Sequence, residues 1–266
     1  MENIVYINLN RRTDRKEQIT NELNNFHLTH ERFEAIHEDQ GILGCTKSHL
    51  EVLKLAKRNG WKSVLILEDD FTFLVSKEQF EFEIRQLNES GINYDVCMLA
   101  YNLMRCDNIS GYNFLLKVIE SQTASAYIIK RHYYDVLIEL YEKNIPLLAA
   151  TNHDHKYAND ICWKILQKTD NWVCTKTRIG KQRAGYSDNW GEYVDYNCCS
   201  SFFDTKYYLC IKLFKVSTPI QVVLAAKLPE RKGYSNLCCC IFVIIIYIFD
   251  TNDMKHNYRS IMLSFY

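Results

Sequence analysis

The chain has 266 residues, 47% hydrophobic and 24% charged, which is long enough to bury a sizeable core and too apolar for a disordered polymer. Lys plus Arg and Asp plus Glu each total 32, so the formal net charge is zero and no global basic field favours nucleic acid. Any anionic ligand must therefore be held by a local cluster. The eleven cysteines are odd in number and scattered, six of them beyond Asn197, which reads as mostly reduced thiols rather than a disulfide framework. The opening Met1-Glu2-Asn3-Ile4-Val5-Tyr6-Ile7 shows no basic region followed by a long apolar one, so no signal peptide and a cytoplasmic location are expected.

Ile4-Val5-Tyr6-Ile7-Asn8-Leu9 predicts a short buried strand that feeds the polar run Asn10-Arg11-Arg12-Thr13-Asp14-Arg15. Ile19, Leu23 and Phe26 then recur at helical spacing, completing a βα unit. A second helix is predicted from Thr46 or Ser48 as N-cap through Lys57, with Leu50, Leu53 and Ala56 on its buried stripe and Asn59-Gly60 as its stop. Ser63-Val64-Leu65-Ile66-Leu67 is apolar without alternation, the mark of a strand covered on both faces, and its carboxyl end delivers Glu68, Asp69 and Asp70. Phe80, Ile84 and Leu87 predict another helix, and Tyr94 to Ala100 another buried strand. Helix and strand thus keep alternating, and the class is α/β. Val118-Ile119 and Ala124 to Ile129 read as later strands. Val136, Leu137 and Leu140 give the stripe of the next helix, limited by Pro146. A last amphipathic helix is predicted from about Asp160 through Gln167 with Ile161, Ile165 and Trp163 packed, before a strand at Trp172-Val173-Cys174-Thr175.

The composition changes near Asn197, giving a predicted domain over residues 1–196 and an extension over 197–266 of unassigned structure. The run from Leu237 to Phe249 has thirteen apolar residues, short of the roughly twenty that span a bilayer. A buried strand or helix is the expected reading there, and a tail anchor the second one.

Three carboxylates at the end of a buried parallel strand point into the crevice where α/β sheets bind ligands. Low-dielectric walls make uncompensated charge costly there, and a divalent cation removes that cost while neutralising a diphosphate. Strand alternation predicts Glu68 and Asp70 on one side and Asp69 on the other. The competing reading of the triplet is a solvated turn or the cap of the next helix. Arg11, Arg12 and Arg15 suit either a phosphate clamp or an acidic partner that pins the loop. Ser48-His49 can orient a ribose or, through His49, a metal; the plainer reading is a helix cap beside a surface histidine.

The stretch from Ile4 to Leu9 with Arg11-Arg12, through Gly44-Cys45-Thr46-Lys47-Ser48-His49, to Leu65-Ile66-Leu67-Glu68-Asp69-Asp70 resembles glycosyltransferase family 25, and within it the members carried by large DNA viruses. Bacterial lipooligosaccharide β-galactosyltransferases and procollagen hydroxylysine galactosyltransferases belong to that family. The likeness continues through Asp160 to Gln167, Arg178 to Arg183 and Tyr186-Ser187-Asp188, and covers roughly residues 1–196. It implies a GT-A-like nucleotide-sugar fold, a UDP-hexose donor, a Mn²⁺-type cofactor and inversion at the anomeric carbon. The acceptors it implies are a glycan terminus or a collagen-like hydroxylysine.

In-line displacement needs a base on the acceptor side and a metal on the leaving-group side. Asp69 and Asp70 are the metal candidates, with Glu68 a third contributor. Asp160 matches the family's Asp before the Trp-containing helix and is the candidate base, with Asp154 the fallback; a plain N-cap competes for Asp160. Gln182, Ser187 and Asp188 match the closing motif and are expected to order a loop over the donor, with buried polar packing as the alternative. His153 and His155 read as solvated. Trp163 is either a sugar platform or core. Two other classes stand beside this reading: a non-catalytic sugar-nucleotide binder or tail-anchored interaction protein, and a metal-dependent phosphoryl or nucleotidyl transferase. Against the last, the chain lacks a G-x-x-x-x-G-K-[ST] loop.

Overall fold

The computed structural model describes residues 3–188 and 191–195 within a first unit, Met1–Phe202, and residues 220–226, 244–250 and 260–263 within a second, Phe203–Tyr266. The first unit opens with β1 (Ile4–Asn8), α1 (Thr13–Asn25), β2 (Glu31–Glu34), α2 (Gly41–Arg58) and β3 (Ser63–Glu68). There follow β4 (Phe71–Phe73), α3 (Lys77–Glu89), β5 (Val96–Asn108), β6 (Leu115–Lys130) and α4 (Tyr134–Thr151). Three short helices, α5 (Asp154–Tyr157), α6 (Asn159–Cys162) and α7 (Lys164–Gln167), lead to β7 (Trp172–Thr175), β8 (Gly180–Gln182), β9 (Gly185–Ser187) and β10 (Glu192–Val194).

Six strands form one sheet in the order β2-β1-β3-β6-β5-β7. β1 is parallel to both β2 and β3, and β5 to β7, while β6 runs against its neighbours. The expected α/β class with a mainly parallel central sheet is what the chain adopts. The unbroken apolar runs follow from two cores fed by one sheet. Val5, Ile7, Val64 and Ile66 pack with Leu50 and Leu53 of α2 and with Leu137 and Tyr141 of α4. Ile4, Tyr6, Leu65 and Leu67 face the other way, onto Ile19 and Leu23 of α1 and Phe80 and Ile84 of α3. Each such side chain, fully buried, contributes roughly 1.5–3 kcal/mol.

Several local expectations change. α2 begins at Gly41, so Thr46 and Ser48 lie inside the helix and are not its N-cap. Their hydroxyls bond back one turn, Thr46 Oγ1 to Ile42 O (2.9 Å) and Ser48 Oγ to Gly44 O (2.7 Å), which lets a buried helix face carry them. The two predicted strands at 118–119 and 124–129 are one, β6, whose pairing with β5 is interrupted by register shifts. α4 passes through Pro146, and its last turn is held by Leu148, buried beyond the proline. The buried stripe of α4 is Tyr134, Leu137, Ile138 and Tyr141, leaving Val136 at the surface. The single helix expected over 160–167 is broken into α6 and α7, which buries Trp163 but exposes Ile165. The strand β2 has no counterpart among the expected elements, because an edge strand reading Glu-Arg-Phe-Glu has no apolar run to announce it.

β4 pairs antiparallel with β8, Phe71 opposite Gln182, and ties the end of the chain's closing motif to the segment after Asp70. A Cβ built on Gly180 would lie 2.1 Å from the Phe71 ring and 2.8 Å from Thr72 O. Gly180→Ala is therefore expected to lower unfolding stability by about 1–3 kcal/mol through overpacking. A denaturant midpoint equal to wild type would show that this strand pair yields freely.

In the second unit β11 (Ile220–Ala226), β12 (Ile244–Asp250) and β13 (Ser260–Leu263) form an antiparallel sheet in chain order. The latter part of the apolar run to Phe249 thus falls in a strand. The cysteine clusters at 198–199 and 238–240 lie outside the described residues. Among the described residues no helix is long and apolar enough to cross a membrane.

Candidate functional site

From β1 the chain goes to β2 on one side and later to β3 on the other, so strand order reverses between β1 and β3. The loops leaving the carboxyl ends of two such strands border the crevice where α/β sheets bind ligands. Parallel register sets Ile7 opposite Glu68, so Asn8 and Asp69 emerge side by side. The buried Asn8 amide donates to Asp69 Oδ2 (2.8 Å) and to Arg12 O (3.0 Å), and its Oδ1 accepts from Arg32 Nε (3.0 Å). One side chain at the end of β1 thereby fixes both the acidic turn and the basic loop.

The strand ends at Glu68, and with it the alternation. Asp69 and Asp70 occupy a turn and converge on the same guanidinium, Arg15 Nη1 standing 2.9 Å from Asp69 Oδ1 and 3.1 Å from Asp70 Oδ2. The expected division, Asp70 with Glu68 and Asp69 opposite, is corrected: Asp69 and Asp70 face Arg15, and Glu68 faces α2. Both aspartates are buried. Burial raises the Asp69 carboxyl, with Arg15 opposing. Burial first, and the Glu68 charge second, push Asp70 up to about 7. Asp70 Oδ1 is buried with no hydrogen-bond partner among the described residues. Asp70 O accepts from Arg183 N (2.6 Å).

The basic loop reaches across to β9. Arg11 Nη2 donates to Asp188 Oδ1 (2.9 Å), Arg12 Nη1 to Asp188 Oδ2 and Tyr186 O (3.2 Å), and Arg15 Nη2 to Tyr186 O (2.7 Å). Against the upward pull of desolvation, the hydrogen bonds from Arg11 and Arg12 hold the Asp188 carboxyl below its usual range. The buried Ser187 lies between these anchors, its carbonyl accepting from Gly191 N (2.8 Å). Of the two readings of the arginines, the acidic partner is thus supplied by the chain itself.

A second group gathers at Glu68. Its Oε1 accepts from His49 Nε2 (3.2 Å) and Cys45 Sγ (3.5 Å), and its Oε2 from Gln182 Nε2 (3.4 Å). His49 is fully buried, not a surface histidine, and its Nδ1 hydrogen-bonds with the Tyr127 hydroxyl (2.9 Å). Ser48 is buried beside it, with its Oγ accepting from Ile36 N (2.8 Å) as well as donating to Gly44 O. Asp160 Oδ2 accepts from Thr123 N (3.0 Å), and burial raises its carboxyl, with the Glu68 charge adding to the rise. Thr123 holds φ at +82°, a costly conformation for a β-branched residue, which Asp160 helps to fix. Asp154 stands half-exposed at the start of α5, bonded to His155 N (2.7 Å), and takes no part in this group. His153 and His155 are exposed. Trp163 is core: fully buried, with Nε1 donating to Ser121 O (3.2 Å) and its ring set edge-on to Tyr127.

Asn8, Cys45, Thr123 and Tyr127 carry this geometry, and the motifs alone do not mark them as site residues. The available signal is slight: a polar residue closing the buried run of β1, and a cysteine one helical turn before His49.

No family model matches the sequence, and no curated relative matches it. Among solved structures, a glycosyltransferase involved in the glycosylation of the major capsid of PBCV-1 aligns at 8% identity, with 65% of this chain and 80% of that chain covered and a TM-score of 0.43. The glycosyltransferase GlyE of Streptococcus pneumoniae aligns at 12% identity, over 65% of this chain and 44% of that chain, with a TM-score of 0.39. A mannose-1-phosphate geranyltransferase from Thermus thermophilus aligns at 8% identity, over 69% of this chain and 75% of that chain, with a TM-score of 0.40. At these identities the chemistry of the site has to be read from its own residues.

Proposed function

We propose that residues 1–196 form an inverting hexosyltransferase domain that moves galactose or glucose from a UDP-sugar to a glycan or hydroxylysine-type hydroxyl. The observation that carries this reading is the pair Asp69 and Asp70, buried at the point where strand order reverses, with Asp70 Oδ1 lacking a hydrogen-bond partner among the described residues. An all-oxygen donor set of this kind fits a hard divalent cation such as Mn²⁺. Bound there, the cation supplies neutralising charge to the diphosphate leaving group.

The chain's own residues then divide the work. Arg15 exchanges its present carboxylate partners for diphosphate oxygens, and Arg11 and Arg12 add charge from the same loop. Asp188 keeps the segment after β9 against that loop, Gln182 ties β8 to Glu68, and Ser187 is buried between them, so that together they exclude water from the donor. Glu68 and His49 form the wall between the donor and α6, with Ser48 setting the helix that carries His49. Asp160 takes the acceptor proton; a carboxyl raised by burial is a stronger base than an exposed one. Asp154 is the alternative base only if the α5–α6 segment turns inward. The resemblance of the motifs around Arg11-Arg12, Ser48-His49 and Glu68-Asp69-Asp70 to family 25 supports the assignment to UDP-hexose.

One observation favours a metal-independent binder instead: Arg15 already pairs with both aspartates. Incubation of the protein with UDP-galactose and UDP-glucose, with and without Mn²⁺, separates the two. Mn²⁺-dependent release of UDP is expected; UDP-sugar binding with no turnover and no response to Mn²⁺ supports the binder, and turnover of ATP instead points to phosphoryl transfer.

A further inference from the structure

Three side chains of different chemistry meet on the α2 side of Glu68. The donor atoms of Cys45, His49 and Glu68 all lie within 4.8 Å of one another. Cys45 and His49 are one turn apart on α2, so both project from one helix face toward the end of β3. From Zn–S of about 2.3 Å and Zn–N or Zn–O of about 2.0–2.1 Å, a tetrahedral centre sets S and O about 3.5 Å apart and N and O about 3.3 Å apart. The observed separations are 3.5 Å for Cys45 Sγ to Glu68 Oε1 and 3.2 Å for His49 Nε2 to the same oxygen. Two donor groups aimed at one carboxylate oxygen are already spaced as the edges of a coordination tetrahedron. The ring of His49 is held in that aim from behind, because Nδ1 meets the Tyr127 hydroxyl at 2.9 Å.

The geometry points to a second, softer metal site: Cys45, His49 and Glu68 bind a borderline-soft divalent cation such as Zn²⁺, with the fourth position open. The set differs in kind from Asp69 and Asp70, because a thiolate and an imidazole select Zn²⁺ or Co²⁺ over Mn²⁺. On binding, the thiol proton leaves to solvent, and the imidazole presents a bare Nε2 with its ring hydrogen on Nδ1, directed at the Tyr127 oxygen. The site stands whether or not the domain transfers sugar, since nothing in it depends on the donor.

Co²⁺ titrated into the metal-stripped full chain is the test, read by absorption spectroscopy. The expected result is a thiolate-to-cobalt charge-transfer band with tetrahedral visible bands at one equivalent, bleached by Zn²⁺. Cys45→Ser is expected to remove the charge-transfer band with an unchanged circular dichroism spectrum. Asp70→Asn is expected to leave it in place. Absence of the band in the unsubstituted chain, its persistence in Cys45→Ser, or its loss in Asp70→Asn each overturns the assignment.

Discussion

Replacing Asp70 by asparagine is expected to abolish Mn²⁺-dependent transfer, by at least about 10²-fold, while making the metal-free protein more stable at alkaline pH. The activity term follows from taking an anionic oxygen donor out of the proposed cation site. The stability term follows from burial. A carboxyl pushed up to about 7 in the fold holds its proton more tightly there than in the unfolded chain, where 3.8 is its reference. Its contribution is therefore most favourable below the unfolded value and is lost as pH rises through about 7, and the amide removes that loss. At pH 8 in EDTA the gain is on the order of 2–4 kcal/mol, shrinking toward zero near pH 4. Urea unfolding across that range gives the slope directly. An unchanged Mn²⁺ response in the asparagine variant would remove Asp70 from the metal site.

Arg15→Leu is expected to be the most destabilising single change at the site. It leaves Asp69 and Asp70 buried without the guanidinium that lies 2.9 and 3.1 Å from them, and it leaves Tyr186 O with only the longer of its two arginine bonds, from Arg12. Breaking a buried pair from one side costs about 3–5 kcal/mol. Because the cost is that of two unpaired carboxylates, it falls as they protonate, so the deficit at pH 5 is expected to be well below that at pH 8. Equal deficits at the two pH values would mean that the guanidinium acts through packing rather than charge. Paired with the Asp70 variant, the experiment also reports coupling: with one carboxylate already neutral, removal of Arg15 is expected to cost less than in the unsubstituted chain.

These two residues show how far the sequence reaches. The run Ser63 to Leu67 identifies β3 to within a residue, because a strand covered on both faces must be apolar throughout. Trp172 to Thr175 is equally plain, and so are the buried stripes of α1 and α3. The start of α2 is hidden by Gly41 and Gly44, which read as loop. Gly44 is needed inside the helix, where a Cβ would come within 2.5 Å of Ile36 O. Close approach by a distant backbone leaves no local periodicity to detect.

The alternation of strand and helix, the mainly parallel sheet and the placing of Glu68, Asp69 and Asp70 at a strand's carboxyl end are all legible in the order of the residues. Those properties follow from periodicity and from turn and cap residues, which are local. How the carboxylates divide is not legible there: Asp69 and Asp70 turn toward Arg15, and Glu68 toward Cys45, His49 and Gln182. The division depends on the strand stopping at Glu68 and on partners separated by up to 114 residues along the chain, whose meeting is set by sheet order and register. Electrostatics at the site is thus a property of packing, since the same three acids would be alike in an unfolded chain.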